Sequence, residues 1–178
     1  MKPWFIATEP FAASDGTRWR KYIEWSGLTQ LVELLSLDPM LCQPVLHDVR
    51  DKYWPHIVNQ DFMLSFFLDA DFLRQQIANI HRRNLLCVFR NPSEPPIPPD
   101  GPFDFAGYDL VDVEQSVSAL TNCGGFPDVF SNSELSTLGL LTDFTRAVEV
   151  QKLLRETYPQ EPHAQCNLWA IFRDSSRQ

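Results

Sequence analysis

Cys123 stands directly before Gly124 and Gly125. A cysteine ahead of two permissive residues can sit exposed on a tight turn, with backbone N–H groups placed for an oxyanion. With His163, His47 or His56 as base, the set would suit a cysteine-dependent hydrolase or transferase. Yet Asn122 to Gly125 is also ordinary turn chemistry, and cysteine is among the most often buried residues. Cys42, at the matching place in the first half of the chain, precedes Gln43-Pro44 and has no glycines after it. Packing explains both cysteines more simply, so the chain points away from an enzyme.

Two further pairs, Cys42-x-x-x-x-His47 and His163-x-x-Cys166, have side chains that can ligate zinc. Strong zinc signatures pair two short spacings, and only one of these is short. Phosphate-binding glycine loops and the G-x-S-x-G elbow are absent from a chain with 7 Gly. We therefore expect neither metal nor cofactor. Arg18-Trp19-Arg20-Lys21-Tyr22 could stack on nucleic-acid bases. Three positive charges in a chain of net charge −8 are poor support for that, and no nucleic-acid partner is expected.

The strongest functional signal is where the charge sits. From Asn91 to Thr145 there is no Lys, Arg or His, yet nine acids: Glu94, Asp100, Asp104, Asp109, Asp112, Glu114, Asp128, Glu134 and Asp143. Acids and bases nearly balance on either side of that span, so the whole negative surplus lies within it. One reading is a solvated face that keeps the protein soluble. The other is a surface that steers a basic protein partner, as an inhibitor or immunity-like protein would. On that reading Asp104, Asp109, Asp112, Glu114 and Asp128 are the candidate contact residues. The acids lack the spacing of a calcium loop.

The elements that must position these groups follow from punctuation and periodicity. Six of the eleven residues from Pro92 to Pro102 are proline, which bars a helix or a central strand. We read 91–102 as a stiff extended connection laid across a single domain. Related blocks flank it. Asp71-Phe72-x-Arg74 and Asn84-Leu85-x-x-Val88-Phe89-Arg90 are echoed by Asp143-Phe144-x-Arg146 and Asn167-Leu168-x-x-Ile171-Phe172-Arg173, an internal repeat over 22–90 and 106–173. Asp69 or Asp71 can cap a helix near 70–82, and Thr142 or Asp143 one near 141–157 that Tyr158-Pro159 ends. Strands are predicted at Trp4–Thr8, Leu85–Phe89, Tyr108–Leu120 with a break near Glu114-Gln115, Asn167–Phe172, and over Leu31–Leu37. The expected class is α+β: a mixed sheet packed by two main helices, built from two βαβ-like halves.

At 178 residues, 44% hydrophobic and 21% charged, the chain can bury a real core. No apolar run approaches the ~18–20 residues of a membrane helix, and Met1 to Pro10 lacks the apolar stretch of a secretory signal. Four scattered cysteines read as reduced thiols, which points to the cytoplasm.

Overall fold

A computed structural model describes residues 2–46, 56–61 and 63–177. His47, a candidate base and zinc ligand in the sequence, lies outside the described residues. Among the described residues eight strands form: β1 (Trp4–Thr8), β2 (Phe11–Ala12), β3 (Glu33–Leu34), β4 (Ile57–Asp61), β5 (Leu64–Phe67), β6 (Asn84–Arg90), β7 (Phe103–Asp112) and β8 (Cys166–Asp174). The main helices are α1 (Thr17–Ser26), α2 (Ala70–Gln76) and α3 (Phe144–Thr157). Six strands make one sheet in the order β4-β5-β1-β6-β8-β7, and β2 pairs with β3 apart from it. The class is α+β. Among the described residues the sheet is antiparallel at every pairing, where a mixed one was expected, and three α-helices accompany it where two main ones were expected.

The central strands are apolar on both faces because both are covered. In β8, Leu168, Ala170 and Phe172 join one core cluster, which also takes Leu73 of α2 and Ala147, Val150 and Leu154 of α3. The alternate residues Trp169 and Ile171 join a second cluster with Ile6, Phe66, Leu86 and Val88. Leu35, Leu37 and Leu140 cover that second face from irregular chain. A strand with two buried faces needs apolar residues at every position, hence the uninterrupted Leu168–Phe172 run.

Residues 91–102 are explained by topology. β6 and β7 each run antiparallel to β8, which lies between them, so they run parallel to each other. Parallel neighbours need a crossover, usually helical. Here the chain leaves Arg90, opposite Trp169, and re-enters at Phe103, opposite Asp174. That is a return of five residues along β8, about 17 Å, plus two strand spacings of about 5 Å. Twelve residues as a helix span about 18 Å, while extended at ~3.1 Å per residue they reach about 37 Å. Proline enforces the extended solution.

Several local expectations hold. Asp69 caps α2 by accepting from the N–H groups of Asp71 and Phe72, and Asp143 caps α3 by accepting from Arg146. Tyr158 ends α3. Helix α2 stops six residues short of 82. Arg82 takes a positive φ of 54° and reaches Asp15 at 2.8 Å, so it does not sit in a last helical turn. Leu31–Leu37 yields only the two residues of β3, because Leu35 bonds to Leu138 and Ser36 and Asp38 enter a polar network. The strand predicted from Tyr108 begins earlier, at Phe103, and stops at Asp112. Val88 and Ile171, matched positions of the expected repeat, face each other across β6 and β8. The β4–β5 hairpin of the first half has no counterpart among the described residues of the second.

Candidate functional site

Cys123 lies on the predicted turn, and Gly124 and Gly125 both take positive φ, 86° and 85°. Its thiol donates to the Ala119 carbonyl at 3.2 Å. Burial pushes the thiol up to about 11, and the charges of Glu161 and Asp112 push it the same way. A nucleophilic cysteine needs the opposite environment. His163 is committed elsewhere: its Nδ1 lies 3.0 Å from Asp112 Oδ2. His56 stacks on Phe72 of α2, with ring centroids 3.9 Å apart. With the thiol near 11, neutral solution holds on the order of a hundredfold less thiolate than for a free thiol near 8.5. Iodoacetamide at pH 7.5 should therefore label Cys123 more than about tenfold slower than N-acetylcysteine. An equal or faster rate would identify an activated thiol.

Of the two zinc-candidate pairs, His47 lies outside the described residues, and the cysteines of both pairs hydrogen-bond to backbone carbonyls. Cys42 is fully buried and donates to Leu34 O at 3.3 Å, and Cys166 is buried and donates to His163 O at 2.8 Å. Among the described residues, no three His, Cys, Asp or Glu side chains gather as a metal would require.

The acidic segment does not form one surface. Asp109 and Asp112 are 0% and 4% exposed, so neither can present its carboxylate to a partner. Both sit in β7, which is buried on both faces over its second half. Asp109 accepts from Ser36 Oγ at 2.6 Å, Ser118 Oγ at 2.8 Å, Leu37 N at 3.2 Å and Leu110 N at 2.8 Å. Burial pushes its carboxyl up, and that of Asp38 beside it. Burial also pulls Asp112 upward, but the N–H groups of Glu114, Gln115 and Val117, with His163, outweigh it and hold Asp112 low. Asp112 is the hinge of the turn that breaks the predicted long strand at Glu114-Gln115. Glu134 is held by Arg146 at 2.6 Å, and Asp143 is spent as a helix cap.

Of the five candidate contact residues, Asp104, Glu114 and Asp128 are exposed. Asp104 opens β7, and Glu114 lies just beyond its other end, about 30 Å away at ~3.3 Å per residue. Glu114 belongs with the turn at 161–165, to which Val113 bonds through Gln165 O at 3.2 Å. Asp128 accepts from Tyr158 OH at 3.0 Å, and Glu161 N bonds back to Tyr158 O at 3.1 Å. Three exposed acids, Glu114, Asp128 and Glu161, thus lie on segments that these hydrogen bonds tie together.

Beside them opens a hollow of about 450 Å³ that the sequence reading missed. One wall is the C-terminal end of α1 with Trp25 and Leu28, and the other is the loop with Gly124, Gly125, Phe126 and Phe130. Trp25 is 56% exposed. Nothing lies within 4 Å of where a Cβ on Gly124 or Gly125 would stand, so the turn leaves that wall open. Thr121 Oγ1, on the same lining, is buried with no hydrogen-bond partner among the described residues. Helix α1 itself was legible: Trp19, Tyr22 and Ile23 recur at helical spacing, and Gly27 ends it with φ 69°. The basic-aromatic reading of the segment hid that period. Trp19 and Tyr22 pack on Phe11, with centroids 5.2 and 5.3 Å away, and offer no faces to bases.

No family model, no curated protein and no solved structure matches the chain. What its fold and this site define is a class: an α+β protein with an open hollow lined in part by Trp25, Phe126 and Phe130.

Proposed function

We propose that this is a binding protein of the cytoplasm that presents the hollow and its rim to a basic protein partner, in the manner of a small inhibitor or immunity protein. The observation that carries the reading is Trp25, more than half exposed at the mouth of an aromatic-lined hollow. Aromatic anchors of this kind supply most of the energy of protein interfaces, about 2 kcal/mol or more each. The exposed charges nearby that favour a basic partner are Glu114, Asp128 and Glu161. The loop wall contributes no base, since none occurs between Asn91 and Thr145. Arg146 reaches this loop through Val129 O at 2.8 Å, but Glu134 and Glu149 already balance it. Asp104, at the far end of β7, belongs outside this contact.

The test is affinity capture from host-cell lysate with three baits. The wild-type chain should retain a basic protein at low salt and release it by about 0.5 M salt, where the Debye length is a few ångströms. Trp25→Ala should lose most of that capture, and Asp128→Lys with Glu161→Lys should slow association. Capture that ignores all three substitutions, or a partner of acidic character, would remove the proposal.

A further inference from the structure

The connection from 91 to 102 is more than the crossover requires, because most of it faces outward. Its two ends are pinned. Asn91 donates its N–H to Leu168 O at 2.7 Å and its Nδ2 to Asn167 Oδ1 at 2.8 Å, while Pro102 O accepts from Ser175 N at 2.7 Å and Ser175 Oγ at 3.1 Å. Asn91 with φ 48° and Gly101 with φ 112° make the two corners. Between them φ is never positive, no peptide bond is cis, and the strip lies outside every strand and helix. Proline holds such a run near φ −75°, which is polyproline II.

Over 94–100 burial has the period of that helix; before it, Pro92 is buried and Ser93 exposed, and the chain bends at Ser93, Glu94 and Asp100. Pro96 and Pro99, three apart, are half-buried against the protein. The other two rows are exposed: Pro95 with Pro98, and Glu94 with Ile97 and Asp100. Polyproline II has three residues per turn, so one edge of a triangular rod rests on the fold and two edges stand in solvent. Ile97 is 83% exposed, the most exposed of the large apolar side chains described.

We infer that this strip is a second interaction surface: a preformed polyproline ridge that docks in an aromatic-lined groove with a basic rim. Such grooves bind proline ridges because the ligand loses little conformational freedom on binding. Here that loss is smaller still, since both ends are already tied to the sheet. The Pro95–Pro98 row provides the ridge. Glu94 and Asp100, flanking Ile97 on the adjacent row, set the sign of the partner's rim. The inference does not depend on the hollow at Trp25.

The test titrates the full chain against a panel of purified WW domains that differ in rim charge, by calorimetry at two salt concentrations. At least one basic-rimmed domain should bind with roughly micromolar affinity. Pro95→Ala with Pro98→Ala should weaken binding by about tenfold or more, the size of a lost anchor. Glu94→Lys with Asp100→Lys should weaken it and reverse its salt dependence, while Trp25→Ala should leave it unchanged. Unfolding midpoints show whether each variant keeps the fold. Ile97→Arg, at a side chain that touches little of the fold, is the second probe should the proline variants unfold. The inference fails if no domain binds the wild-type chain tighter than about millimolar. It fails equally if the folded variants bind as well as the wild type.

Discussion

Asp109→Ala should cost the protein about 3–5 kcal/mol in urea unfolding, the largest effect expected of any single carboxylate here. The side chain is fully buried, and its hydrogen-bond partners among the described residues are all uncharged. Its two oxygens are the acceptors for the Ser36 and Ser118 hydroxyls and for the N–H groups of Leu37 and Leu110. Each donor stranded without an acceptor costs about 1–3 kcal/mol. Ser118 also ties the network to Asp38, which accepts from its N–H at 2.9 Å and from Asn122 Nδ2 at 2.7 Å. Removing Asp109 therefore loosens three separate segments: 36–38, the start of 118–122 and β7. Asp109→Asn should cost less, about 1–3 kcal/mol, since an amide keeps one acceptor but turns a donor toward donors. A change within about 0.5 kcal/mol for Asp109→Ala would mean the network does not hold the fold.

The same carboxylate sets a pH signature. Burial holds Asp109 and Asp38 above the ordinary aspartate value. The unfolded chain loses these protons near pH 3.9, and the folded chain loses them only later. Within that window the native state binds more protons, so their contribution to stability falls as pH rises. Asp15 beside Arg82 and Glu134 beside Arg146 are held low by their guanidinium partners. At Asp112 and Asp174 burial pulls upward, but hydrogen bonds outweigh it. Those four contribute stability that is present above the unfolded value and lost as pH falls through the folded one. Asp109→Asn deletes part of the opposing slope. Its stability should climb more steeply than that of the wild type as pH rises from about 4.

Gly107→Ala should be nearly as damaging, at about 3 kcal/mol or more. Gly107 has φ 145°, in a region that side chains avoid, and closes the irregular step of β7 between Phe105 and Gly107. A Cβ there would stand 2.6 Å from Leu140 Cβ and 2.8 Å from Leu141 O. The obstacle cannot retreat, because Tyr108 and Leu141 exchange backbone hydrogen bonds at 2.7 and 3.1 Å. For a chain of this size the loss is a fall in Tm of about 6–12 °C. Gly125→Ala is the control: φ is positive there too, but the space is open, so only the left-handed penalty of about 1–2 kcal/mol applies. Equal shifts in Tm for the two variants would show that the collision does not govern the first.

Local chemistry was legible wherever a signal is complete within a few residues. Asp69 and Asp143 cap because a carboxylate beside free N–H groups needs nothing from elsewhere in the chain. Leu85–Phe89 and Leu168–Phe172 read as strands because the run of apolar residues is itself the evidence of two covered faces. The hollow was not legible. Its walls come from α1 and from the loop after Cys123, about a hundred positions apart, and no pattern in either predicts the other.

The sequence by itself determined the α+β class, the ends of α3, the extended path of 91–102 and the surplus of negative charge. Each rests on propensity, proline geometry or simple addition. Only the tertiary structure decided which acids meet water. Burial is set by what packs against a strand, so two central carboxylates of the charged segment, Asp109 and Asp112, went inside, where serine hydroxyls, backbone N–H groups and His163 could satisfy them. The exposed acids Glu114, Asp128 and Glu161 lie on segments that tertiary hydrogen bonds join, Val113 to Gln165 and Tyr158 to Asp128, and chain order holds no record of those contacts.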